Sequence, residues 1–138
     1  MRITKRAARR SGVAIVEAAF VIPVLLLLLF IIISGALMVI AADEVVGASR
    51  EGARFASVRG SSYAFNTKLP AATPADIAAH VKSRAATLDP NRITCNVTWD
   101  GSNRPGQYVT VEVRYQWAGS PPFGGREFVS RSTMLVTY

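Results

Sequence analysis

Hydrophobic and polar positions divide the 138-residue chain into zones with different periods. From Val13 to Ala42 the residues are VAIVEAAFVIPVLLLLLFIIISGALMVIAA, apolar on every side, with Glu17 as the one ionisable group. A helix needs about 20 apolar residues to cross a bilayer core, so this run predicts a membrane-spanning helix. Pro23 lies inside it and removes one backbone hydrogen bond, which predicts a kink or local unwinding. From Asp43 to Arg59 a helical period takes over, with Val45, Ala48, Gly52 and Phe55 making an apolar seam. Ala48, Gly52 and Ala56 recur every four residues, a small-residue ridge that allows close helix approach. Arg50, Glu51 and Arg54 stand off that seam, as a solvated charged face or as a subunit or partner contact. Helical from Val13 to Arg59, the segment would be about 70 Å long.

Gly60-Ser61-Ser62 reads as the end of that helix, followed by a loop to Ala72. Thr73-Pro74-Ala75-Asp76 then has the form of a helix start, with an N-cap, a proline in the first turn and an acid at the third position. Ile77, Val81, Ala85 and Leu88 keep one apolar face over a helix at 75–88, and Asp89-Pro90 stops it. Beyond it the period falls to two. Ile93, Cys95, Val97 and Trp99 alternate with polar residues, and so do Val109, Val111, Val113, Tyr115 and Trp117. Asp100–Gln107 makes the turn between them. A loop with Pro121-Pro122-Phe123-Gly124-Gly125 leads to a third strand near 128–138. The expected fold is α+β: a long N-terminal transmembrane helix running into a small domain, one helix packed on a three-stranded antiparallel sheet. Its segments are a basic leader (1–12), the transmembrane helix (13–42), a helix extension (43–59) and the α+β domain (60–138).

Net charge changes the picture only at the amino terminus. The formal charge is +7, but Arg2, Lys5, Arg6, Arg9 and Arg10 all precede Gly12. From Val13 onward 11 basic residues face nine acids. The excess is therefore a topology signal that holds the leader on the cytoplasmic side, and it excludes nucleic acid as the partner. Cys95 is the single cysteine, so no intramolecular disulfide forms, and with one histidine there is no zinc site. His80 borders the apolar face of its helix and reads as a surface or packing residue. No paired carboxylates, serine elbow, phosphate loop or cofactor motif is legible, which excludes enzyme classes built on them.

Glu17 bears on how the apolar run is used. A carboxylate in a membrane helix costs about 2.5 to 3.5 kcal/mol on insertion scales. One explanation is that Glu17, four residues into the run, reaches the headgroups. A second starts from a cut between Gly12 and Val13. Val13 then carries a new positive amine, and Glu17 lies one turn away, where the helix dipole also favours an anion. In an assembly Glu17 would neutralise the amine of an adjoining subunit instead. An uncleaved anchor and a secretory signal cut near Ala41-Ala42 are the competing readings, though secretory apolar cores are about 7 to 15 residues.

Gly12 followed by an apolar helix with Glu17 resembles the processing site of type IV pilins and pseudopilins. The string VAIVEAAFVIPVLLLLLF resembles the opening of the TadE-like proteins of tight-adherence (Tad/Flp) pilus systems. Ala48–Val58, ASREGARFASV, is similar to that family's NAAREGARYAAV-like stretch, and VTVEVRYQW and STMLV give a weaker match. The chain departs from the family pattern at Ser34-Gly35-Ala36 and at Asp43-Glu44. The resemblance implies a minor pseudopilin: processed after Gly12 by a prepilin peptidase, held in the inner membrane with its domain extracytoplasmic, and working with other pilins and inner-membrane Tad components. A membrane-anchored binding module that never enters a filament is the alternative, and a secreted domain is a third.

Overall fold

The computed structural model describes residues 5–119 and 121–138. Three helices, α1 (Lys5–Val58), α2 (Ser61–Thr67) and α3 (Pro74–Arg84), precede a single 3-10 turn at Pro90–Arg92. Three strands follow, β1 (Ile93–Trp99), β2 (Tyr108–Trp117) and β3 (Arg126–Leu135), in the antiparallel order β1-β2-β3. The fold is α+β, with a long apolar helix ahead of a small helix-and-sheet domain. The chain divides into two compact units at Ala36–Leu37.

The first unit is helix alone. Every position from Val13 to Ile33 is exposed, including Phe20 at 74% and Phe30 at 70%. A helix that is apolar all round buries nothing against its own chain and has the composition of a membrane span. It is the one helix among the described residues long and apolar enough to cross a membrane. α1 begins at Lys5 rather than after Gly12, so the basic segment ahead of the apolar run is itself helical in part. Lys, Arg and Ala are good helix formers, which suffices to extend a helix already nucleated. The unwinding expected at Pro23 is not seen, and α1 is continuous across it.

The second unit takes in the rest of α1, so the helix extension read at 43–59 is part of the domain's own core. Ala41, Val45, Ala48, Ser49, Gly52, Ala53, Ala56 and Ser57 are all buried, at spacings that keep them on one helical face. Seven of these eight are Ala, Ser or Gly, which lets the sheet lie close against the helix. At Gly52 the fit is tightest: an added Cβ would lie 2.5 Å from Val81 Cγ2 and 3.2 Å from Val111 Cγ1. On the sheet side the inward positions are Val109, Val111, Val113 and Tyr115 of β2, all buried, with Ile93 of β1. The register pairs Val97 with Val111, Val111 with Ser132 and Val113 with Ser130. Fully burying an aliphatic side chain is worth about 1.5–3 kcal/mol, so this valine layer with Ile77 and Val81 of α3 carries the domain.

Helix α3 starts as its sequence predicts. Thr73 accepts from the Asp76 amide at 3.2 Å while the Asp76 carboxylate accepts from the Thr73 amide at 3.0 Å, a reciprocal capping box. It ends at Arg84, four residues before the expected Leu88. Ala85 and Leu88 remain buried, so the apolar face continues into a turn closed by Leu88 N–H to Ala85 O. The loop expected at 60–72 contains α2 instead. Its first residue is tied to the rest of the domain, Ser61 N–H donating to Asn103 O, and the flanking segments are joined by Ala72 N–H donating to Arg59 O. β3 is shifted from the expected 128–138. The last residues leave the sheet to tie down α1, with Thr137 N–H donating to Ser57 O at 2.9 Å and Val136 buried.

Candidate functional site

Gly12, Val13 and Glu17 lie on the exposed surface of α1, inside continuous helix. Val13 and Glu17 are one turn apart, about 6 Å along the axis. An added Cβ at Gly12 would meet nothing within 4 Å, so no packing holds this bond in place. Glycine inside a helix is less stable than alanine by about 0.5–1 kcal/mol, and Gly12 is the weak link of its turn. Pro23 is exposed about three turns beyond Gly12, without an amide to donate.

The residues singled out near 50 separate onto two faces. Ala48, Gly52 and Ala56 point inward, against α3 and the sheet of the same chain. Arg50 and Arg54 are exposed and Glu51 is half-buried. The Glu51 carboxylate accepts from Arg54 Nε at 3.1 Å and Nη2 at 3.0 Å, a two-pronged contact. Arg84 Nη2 and His80 Nε2, both from α3, stand 3.7 Å from the same carboxylate. The hydrogen bond from Arg54 is the main reason the Glu51 carboxyl titrates below its ordinary range, with the Arg54 and Arg84 charges adding to it. Among the described residues no group of three His, Cys, Asp or Glu is placed to hold a metal ion. Cys95 is half-buried, and burial pushes its thiol up, away from the reactive thiolate.

Three features escaped the sequence reading. Ser49 is fully buried and its hydroxyl bonds the hydroxyls of Ser130 at 2.8 Å and Ser132 at 3.0 Å, joining α1 to β3. Glu44 accepts from the Thr87 amide at 3.0 Å and from its hydroxyl, closing the loop after α3 onto α1. Phe55 stacks on His80 with ring centres 4.2 Å apart, and the Arg59 guanidinium lies 4.4 Å from the centre of the same Phe55 ring. The spacing of Ser49 and Ser57 on the Val45 face was a usable signal for the first; the other two depend on pairings far apart in sequence.

The family model for TadE-like protein matches residues 12–54, from Gly12 through Arg54. Residues 12–54 are TadE-like. The likeness read from the Gly12–Glu17 pattern and from Ala48-Ser49-Arg50-Glu51-Gly52-Ala53-Arg54 thus holds over the apolar helix and its first turns inside the domain. Among the described residues the single apolar N-terminal helix suggests a single-pass membrane protein. No curated protein and no solved structure matches the chain. The TadE-like segment holds Glu17 and Glu51, one in each half of the helix. It ends one residue before Phe55, so most of the sheet domain lies outside it.

Proposed function

We propose that the chain is a minor pseudopilin-type structural component of a Tad/Flp pilus assembly system, cut after Gly12 by a prepilin peptidase. The observation that carries this reading is the TadE-like match opening at Gly12 and running through Glu17 along an all-round apolar helix. Five basic residues before Gly12 keep the leader cytoplasmic, which puts the cut on the inner-membrane face and the sheet domain outside the cytoplasm. After cleavage the Val13 amine is free and Glu17 lies within a turn of it. In lipid an uncompensated carboxylate is costly, so pairing with that amine, in its own or an adjoining subunit, offsets the penalty and sets the axial offset between neighbouring helices. The domain contributes a folded head, which suits a minor subunit, and the remaining partners are other pilins and the inner-membrane Tad machinery.

Two variants test this. Gly12→Ala inserts normally but matures slowly or not at all; maturation at the parental rate would overturn the processing site. Glu17→Ala inserts at least as well as the parent but loses pilus assembly. Normal piliation in that variant would contradict the pairing and favour a membrane-anchored module that stays out of the filament.

A further inference from the structure

A groove of about 600 Å³ opens on the domain between the end of α1, the stretch after α2 and the outer side of α3. Phe55, Leu69 and Pro70 give it apolar walls, and Arg59, Asp76 and His80 give it its polar groups. Leu69 is 55% exposed although it belongs to a concave apolar surface. The polar groups are unequal. Asp76 is committed, since its carboxylate accepts from the Thr73 amide and from the Thr73 hydroxyl at 2.7 Å. His80 Nε2 is shielded from solvent and faces the Glu51 carboxylate at 3.7 Å, beyond hydrogen-bond distance, and its ring is fixed by the stack on Phe55. Among the described residues Arg59, like Arg50, Arg104 and Arg126, faces no carboxylate within 4 Å, unlike Arg54, Arg84, Arg92, Arg114 and Arg131. Arg59 is the one of those first four that lines the groove. Its guanidinium is held over the rings of Phe55 at 4.4 Å and Tyr63 at 5.6 Å. A planar cation fixed on aromatic rings keeps its donors free for a carboxylate while losing little side-chain freedom on binding.

We propose that this groove docks a peptide segment of a partner protein in which an apolar or aromatic side chain is followed by a carboxylate. The apolar side chain lies against Phe55, Leu69 and Pro70, and the carboxylate takes the two-pronged hydrogen bond from Arg59. Asp76 repels a second acid, so the site selects one carboxylate at the α1 side rather than an acidic run. The surface lies wholly within the second unit, and it stands whether or not the chain is cut after Gly12.

Disulfide capture tests it on the full chain in detergent. Ser83, exposed on the groove wall, becomes the attachment point in Ser83→Cys combined with Cys95→Ser. The probes are N-mercaptoacetyl dipeptide amides of Phe-Glu, Phe-Gln and Ala-Glu, exchanged under a fixed thiol buffer and counted by intact mass. Phe-Glu is captured about tenfold more than Phe-Gln, as one charge-assisted pair predicts, and more than Ala-Glu. Adding Arg59→Gln removes the preference for Glu, and Arg59→Lys retains part of it. Equal capture of the three probes, or a Glu preference unchanged by Arg59→Gln, overturns the assignment. If Arg59→Gln does not fold, the Phe-Glu to Phe-Gln ratio on the parent decides alone.

Discussion

The two halves of α1 are one helix with two surfaces. From Val13 to Ile33 it carries large aliphatic and aromatic residues on every side, all exposed. From Ala41 to Ser57 it carries a stripe of Ala, Ser and Gly, all buried against the chain's own sheet and α3. Large apolar residues without a partner in the chain require a solvent of their own kind, and lipid supplies it. Small residues allow a folded neighbour to come close, and the valine layer of β2 supplies that neighbour. Side-chain size, more than hydrophobicity, therefore separates the half that meets the bilayer from the half that builds a domain.

That contrast breaks hardest at glycine. Gly52→Ala puts a methyl 2.5 Å from Val81 Cγ2, and overfilling a packed site of this kind costs about 1–3 kcal/mol. Thermal unfolding of the domain should move down by about 4–8 °C per kcal/mol lost. The same change at Gly47, where the added methyl meets nothing, should stabilise by about 0.5–1 kcal/mol through helix propensity. Equal shifts at the two positions would show that the inward stripe is not packed as described. Next in size is Ser49→Ala, which leaves the Ser130 and Ser132 hydroxyls without their shared partner and should cost about 1–2 kcal/mol. Leu27→Ala in the exposed half should leave the domain's unfolding temperature unchanged.

The smallest effect belongs to the charged face. The folded carboxyl of Glu51 titrates below its ordinary value of 4.5, so its ion pairs stabilise above that pH and the contribution is lost as pH falls through the folded value. The group is close to solvent, so Glu51→Gln should cost no more than about 0.5 kcal/mol at neutral pH. The difference from the parent should vanish in acid. A cost independent of pH would mean that Glu51 acts by packing and not by charge.

Periodicity made most of this fold legible. Strict alternation located β1 at Ile93–Trp99 and β2 to within one residue, and Thr73-Pro74-Ala75-Asp76 marked the start of α3. Helix α2 was not legible because Gly60-Ser61-Ser62 reads as a helix end followed by loop, and the bond from Ser61 N–H to Asn103 O joins it to a segment far along the chain. The every-fourth pattern of Ala48, Gly52 and Ala56 said that something approaches closely there. Only the tertiary structure names Val81 and Val111 as the neighbours. Glu17 stood out as a lone acid in an apolar run, whereas Arg59 did not, since a cation without a carboxylate is visible only once its neighbours are placed.

Whether the bond between Gly12 and Val13 is cut is read from the mass and N-terminal sequence of the protein recovered from cell membranes. Cleavage there yields a chain beginning at Val13 with the apolar helix retained. A chain beginning at Asp43, or one that keeps Met1 and the basic leader, would contradict it.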